Sequence, residues 1–244
     1  MDKIRTLAFV ALWLAIGVAV PEELRLVANS WPPFTDQRLL NNGLAVDLVS
    51  SALQRAGYTV TYTEVPGART LRGLQDGTYD VLVGAWYSSE RAQFGRFSEP
   101  YLINRILFVQ RKGSKIGFER LEDLRRYSIA VARGYAYDAR FDSDPLLHKQ
   151  KVLDFRMGAR MLAAGRVDLT LEDEYVARYY LNRELVDLRD QLEFLHKPLS
   201  ENGLHILVRR SHPQNTAIAA AFNQAIRAMR DDGSYAEIFK RHGF

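Results

Sequence analysis

From Glu23 to Ala85 the chain alternates between two hydrophobic periods, and that alternation limits its folds more than any single residue does. Glu23 to Ala28 sets Leu24, Leu26 and Ala28 on one face of a short strand. The turn-rich Asn29-Ser-Trp-Pro-Pro-Phe follows. Val46, Leu48, Val49, Ala52 and Leu53 then recur at helical spacing, with Gly57 closing the helix. Tyr58 to Glu64 is β-branched and aromatic with period two, and Ala68 to Gln75 is a second helix closed by Gly77. Asp80 to Ala85, apolar after its first residue, has the pattern of a strand buried on both faces of a parallel sheet. This β-α-β-α-β order predicts parallel strands with right-handed crossovers.

The pattern then resumes. Strands are predicted at Arg105 to Gln110, Ser128 to Ala132, Val152 to Phe155, Val167 to Leu171, Leu192 to Leu195 and Leu204 to Val208. Helices are predicted at Leu121 to Arg125, Gly158 to Ala164, Asp173 to Leu181, Pro213 to Met229 and Ser234 to Arg241. No linker or low-complexity segment divides the chain, so it reads as two successive α/β units.

Upstream, Met1 to Val20 joins Lys3 and Arg5 to the apolar run Thr6 to Val20 and a small-residue exit at Gly17, Val18 and Ala19. That is the pattern of a secretory signal peptide, cleaved near Ala19 or Val20. As a membrane anchor the run falls short of the roughly 20 residues that span a bilayer. An exported soluble protein is therefore expected, with mature net charge +3. The absence of cysteine excludes disulfides, lipoprotein attachment, a thiol nucleophile and a cysteine-ligated zinc site. Without a dense Lys/Arg run interleaved with aromatics, nucleic acid is not an expected partner.

In open α/β sheets, ligands bind beyond the carboxyl ends of parallel strands. Four predicted strands are followed by Ser30-Trp31-Pro32-Pro33-Phe34, Trp86-Tyr87-Ser88-Ser89-Glu90-Arg91, Arg133-Gly134-Tyr135-Ala136-Tyr137-Asp138 and Glu172-Asp173-Glu174-Tyr175. Such ends suit a small zwitterion or acid. Arg91 carries a planar fork that matches a carboxylate bidentately. Ser88, three residues earlier, stands at a helix N-cap position that would orient backbone N–H groups at the same anion. Asp173 opens a helix and is placed to take an ammonium, while Trp31, Trp86 and Tyr135 supply flat apolar walls. Each residue also has a structural reading. Arg91 can pair with Glu90 or Glu99, Asp173 can be a helix cap alone, and Trp31 can pack on the Pro-Pro turn. Arg69, on the second helix, reads first as a solvated residue and second as a ligand contact.

In this order the residues resemble extracellular solute-binding protein family 3, the periplasmic receptors of polar amino-acid ABC transporters. The landmarks are Trp31-Pro-Pro-Phe34, Gly43-Leu-Ala-Val-Asp47-Leu, Leu74-Gln-Asp-Gly77-Thr-Tyr-Asp80, Ser88-Ser-Glu-Arg91, Phe97-Ser-Glu-Pro-Tyr101, Gly165-Arg-Val-Asp168 and Glu172-Asp173-Glu174. The resemblance implies an α/β, two-lobed periplasmic binding protein fold of type II. Each lobe would be a mainly parallel sheet flanked by helices, with two hinge crossings. One lobe would span residues 22–102 and 199–244, the other 105–196. It also implies that Arg91 clamps an α-carboxylate, Asp173 holds an α-ammonium and Trp31 stacks on the ligand. The ligand-binding set is then Trp31, Phe34, Arg69, Trp86, Tyr87, Ser88, Arg91, Tyr135 and Asp173. Three departures stand out. Gly84-Ala-Trp86-Tyr87 replaces small hydroxyl residues and is one residue shorter, Gly134-Tyr135 replaces Gly-Thr or Gly-Ser, and Gly67 sits where an aromatic is frequent. The ends of an amino-acid clamp are kept and its middle is rebuilt, which points to a flatter or smaller ligand.

The first functional expectation is a receptor, monomeric and without cofactor or metal, that delivers a small carboxylate-bearing ligand to an inner-membrane ABC permease. A cyclohexadienyl dehydratase-like enzyme using Glu172 or Asp173 is the second, and a ligand-sensing module for a membrane receptor the third. Gly-x-Ser-x-Gly, Gly-x-Gly-x-x-Gly, a phosphate loop and His-Glu-x-x-His are all absent, and the five histidines are dispersed.

Overall fold

A computed structural model describes residues 21–133, 135 and 137–244. The expected leader and its cleavage position lie outside the described residues. Strand β1 (Glu23–Ala28) pairs in parallel with β2 (Thr59–Glu64) on one side and β3 (Val81–Trp86) on the other. Helices α1 (Leu44–Arg55) and α2 (Gly67–Gln75) are the crossovers, as the alternating periods predict. After β3 come the short α3 (Ser89–Phe94), opening at Ser88 as its N-cap position suggests, and β4 (Gly95–Phe97), which was not predicted.

The second half contains β5 (Leu102–Arg111), β6 (Ser128–Ala132), α4 (Ala139–Ser143), β7 (His148–Val152), α5 (Phe155–Ala163), β8 (Leu169–Asp173) and α6 (Glu174–Arg183). The chain returns through β9 (Leu192–Arg209) and ends in α7 (Asn215–Asp231) and α8 (Ser234–Arg241). The sheet order is β2-β1-β3-β9-β5-β8-β6-β7, with β4 also on β9. Among the described residues, strand pairing joins the two parallel groups, β2-β1-β3 and β8-β6-β7, through the antiparallel pair β5–β9. That pair runs from Leu102 opposite Leu204 to Arg111 opposite Leu192, and its register shifts between Ile106 and Val109. Two long strands therefore connect the halves, with irregular pairing midway.

Each half has a core, and Val176 of α6 in the second half packs into that of the first. In the first, Leu48, Leu53, Ile218, Phe222 and Ile226 close α1 and α7 over the sheet. In the second, Ile106, Phe108, Phe141 and Leu171 pack on one face and Phe155, Leu162 and Leu181 on the other. A fully buried side chain of this kind contributes about 1.5–3 kcal/mol. Among the described residues no helix is long and apolar enough to cross a membrane.

Several boundaries differ from expectation. The strand expected at Val152 to Phe155 is β7, ending at Val152, because Asp154 Oδ1 accepts from Met157 N (3.0 Å) and draws Phe155 into α5. Leu192–Leu195 and Leu204–Val208 belong to one strand. Pro198 is accommodated there beside a register shift, where the missing N–H costs least. The segment Leu121 to Arg125 is a single 3-10 turn, Leu121–Leu124.

Candidate functional site

The Trp31 loop is held against the start of α1. Leu44 N donates to Pro33 O (2.9 Å) and Ala45 N to Phe34 O (2.8 Å), using helix N–H groups that lack intrahelical partners. Gly43 makes this approach possible. Its φ is +101°, and a Cβ there would lie 2.6 Å from Phe34 O. Trp31 is set by its own loop, with Thr35 N and Phe34 N both donating to Trp31 O. At the far end of the neighbouring strand, Asp80 accepts from Arg25 Nε (2.8 Å) and Arg209 Nε (2.9 Å). These bonds tie β3 to the strands on either side. Burial alone would raise the Asp80 carboxyl, but the two guanidiniums hold it down to about 2.

At its carboxyl end β3 delivers Trp86, and Ser88 then caps α3 by accepting from Arg91 N (3.2 Å). The Arg91 side chain turns back so that Nη1 donates to Trp86 O (2.9 Å). Neither anticipated ion pair forms. Glu99 is bound by Arg227 (2.7 Å), and among the described residues no carboxylate pairs with Arg91. Arg91 is half-buried in a cleft of about 430 Å³ whose walls are Trp31, Trp86 and Tyr135, with Asn29, Gly84 and Leu204 completing it. Trp31 and Trp86 meet edge to face at 5.9 Å, and Trp86 meets Tyr135 edge to face at 6.0 Å. Tyr135 follows β6 in the second half, so the cleft has walls from both halves.

Thus Trp31, Trp86, Arg91 and Tyr135 come together, with Ser88 behind them as the cap. Four other expected residues do not line the cleft. Phe34 is fully buried between Trp31 and Tyr175, at centroid distances of 4.4 and 5.9 Å. Arg69 is exposed on α2. Tyr87 is 66% exposed, because alternation along the strand sends it opposite to Trp86, where it packs on Phe97. Asp173 is fully buried and caps α6: Oδ1 accepts from Tyr175 N (2.9 Å) and Val176 N (3.1 Å).

The other Asp173 oxygen leads to a residue that strand and loop patterns did not single out. Asn104, fully buried on β5, donates from Nδ2 to Asp173 Oδ2 (2.9 Å) and accepts at Oδ1 from Trp86 Nε1 (2.9 Å). A hydrogen-bonded row therefore runs from the cleft wall through the connecting strand to the second half. The available signal was an amide on the inward side of an apolar strand, between Leu102 and Ile106.

Burial dominates the acids behind the cleft. It pushes Asp173 up to about 7, against the lowering effect of its bonds from Val176, Asn104 and Tyr175. It pushes Glu172, also raised by the adjacent Asp173 charge, up to about 8. Burial likewise holds the Tyr135 phenol well above its ordinary value, and Glu172 and Asp173 add to the effect. Among the described residues no three His, Asp or Glu side chains are grouped to hold a metal ion.

The bacterial extracellular solute-binding proteins, family 3, match this sequence over residues 25–244. The chain belongs to that family. Among family 3 relatives, the ABC transporter arginine-binding protein 1 of Escherichia coli (strain K12) is 23% identical, over 98% of this chain and 97% of its own length. The L-cystine-binding protein TcyJ of the same strain is 23% identical over 84% of this chain and 76% of its own length. In structure, an ancestral cationic amino acid solute-binding protein superposes with TM-score 0.70 at 21% identity, covering 90% of this chain and 94% of that one. An ancestral arginine-binding protein bound to arginine gives 0.65 at 25% identity, covering 91% and 98%. The family 3 fold is the two-lobed type II periplasmic binding protein fold that the sequence resemblance implies.

Proposed function

We propose that this chain is a periplasmic receptor that captures a small polar carboxylate-bearing solute, an amino acid or a related compound, and passes it to an inner-membrane ABC permease. Its lobes are residues 22–102 with 199–244, and residues 105–196. One observation carries the reading: Arg91 stands half-buried among Trp31, Trp86 and Tyr135, with no carboxylate among the described residues paired to it. A cation held in an aromatic cleft has much to gain from an incoming carboxylate, which it can meet with paired N–H donors. The ligand would touch Arg91 and Trp31 from one lobe and Tyr135 from the other. Contacts to both lobes lower the free energy of the closed form, and β5–β9, with its irregular register, serves as the hinge.

The receptor works as a monomer, without catalytic residues, cofactor or metal, after the leader is removed. The dehydratase reading would need an acid on the cleft wall. Glu172 and Asp173 are instead buried behind it and occupied by backbone and Asn104 donors. Transport is preferred to sensing because relatives carry names of ABC transporter and periplasmic binding proteins.

Removing residues 1–20 leaves Trp31 and Trp86 as the only tryptophans, both on the cleft. Titration with small carboxylates should therefore change intrinsic fluorescence saturably, and Trp86→Phe should reduce the change. A panel of amino acids and small organic acids that produces no saturable change would count against capture at this site.

A further inference from the structure

We infer that this cleft selects carboxylates that carry no ammonium group: small monoanions with a flat, uncharged body, such as 2-oxo, 2-hydroxy or aryl-alkanoic acids. The inference rests on the reading above that the cleft is a ligand site, and it narrows the class of ligand.

Arg91 is the only charged residue lining the cleft among the described residues, and Gly134 and Ala136, outside that set, carry no charge. A single guanidinium balances a single carboxylate. A zwitterion would bring a second charge of the same sign as Arg91 into that space.

The buried acids offer an ammonium no partner on the cleft surface. Asp173, which the resemblance assigns to an α-ammonium, is fully buried, and both of its oxygens are already hydrogen-bonded. Asn104 occupies one acceptor site of Oδ2, and Trp86 one of the Asn104 carbonyl. The indole on the cleft wall therefore heads a hydrogen-bonded row that ends at the fully buried Asp173. Glu172 is 4% exposed and accepts from Asp173 N (2.9 Å). An ammonium entering the cleft would exchange water for a site with no carboxylate on its surface, and unpaired buried charge is costly.

Aromatic faces can also hold a cation. Here the three rings meet edge to face, at 5.9 Å for Trp31 with Trp86 and 6.0 Å for Trp86 with Tyr135. Each such contact turns one ring face to the positive edge of a neighbour, and Arg91 opposes a further cation nearby. A flat neutral body can still lie along the same walls without needing a counter-charge.

The test is calorimetric titration of the full chain with matched pairs that differ only at the α-carbon nitrogen. Suitable pairs are L-phenylalanine against phenylpyruvate and 3-phenylpropanoate, and L-leucine against 4-methyl-2-oxopentanoate, with L-arginine alongside. The nitrogen-free acids should bind at least about tenfold more tightly than their amino-acid partners. Amino acids binding as tightly or more tightly would overturn the inference while leaving the receptor reading intact. A panel in which nothing binds would remove both. Trp86→Ser, which takes away the ring heading the row, should shift preference toward the ammonium-bearing member of each pair. An unchanged preference in a folded Trp86→Ser protein would show that the Trp86–Asn104–Asp173 row does not set it, and the part of the inference that rests on that row would fall.

Discussion

The indole Nε1 of Trp86 donates to Oδ1 of Asn104 at 2.9 Å, linking a residue at the end of a lobe strand to one inside the connecting strand. Asn104 passes the link to Asp173 at the start of α6. The position of the cleft wall and the capping of a helix in the other half are therefore set by one fully buried amide. Asn104→Leu keeps the volume and removes both bonds, leaving an indole N–H and a carboxylate oxygen unpaired. We expect a loss of about 2–4 kcal/mol in urea unfolding. A loss within about 0.5 kcal/mol, the range of a plain surface substitution, would show that the row contributes little.

Glu172 and Asp173 predict an unusual pH response. Burial raises them to about 8 and about 7, from an ordinary range near 4 when unfolded. Between those limits the folded chain holds more protons than the unfolded one, so stability falls as pH rises. Urea midpoints should be higher at pH 5 than at pH 8. Glu172→Gln, which mimics the protonated acid, should flatten the slope and recover about 2–4 kcal/mol at pH 8. A midpoint that rises with pH and is unaffected by Glu172→Gln would contradict this picture.

Asp80 behaves in the opposite sense. Its folded value near 2 lies below the unfolded one, so its contribution is present above about 4 and disappears as pH falls through about 2. Asp80→Asn leaves Arg25 and Arg209 without their shared carboxylate. It should cost about 3 kcal/mol at pH 7 and nearly nothing at pH 2, read from urea unfolding at the two pH values.

Much of the first lobe was legible because its residues repeat with clear periods. The β1 strand spans Glu23–Ala28 as expected, and α1 buries the predicted Val46, Leu48, Val49, Ala52 and Leu53. The edge strand β7 was misplaced because His148-Lys-Gln-Lys-Val152 has little to bury and so carries no apolar alternation. Continuity of β9 through Pro198 depends on pairing with β5, which local sequence does not encode. At the site, Trp31, Trp86, Arg91 and Tyr135 were legible as chemistry placed after strands. Which faces Trp86 and Tyr87 take follows from alternation only once the strand end is known. Leu204 and Gly84 gave no signal, since an aliphatic residue and a glycine reach the cleft through sheet pairing alone.

In the proposed receptor, Arg91 holds the ligand by its carboxylate. Calorimetric titration of wild type, Arg91→Lys and Arg91→Ala with the tightest carboxylate found tests it most directly, with circular dichroism confirming that each variant folds. We predict that Arg91→Ala weakens binding by about 100-fold or more and that Arg91→Lys, keeping charge without the fork, falls between. Wild-type affinity in a folded Arg91→Ala protein would contradict the account.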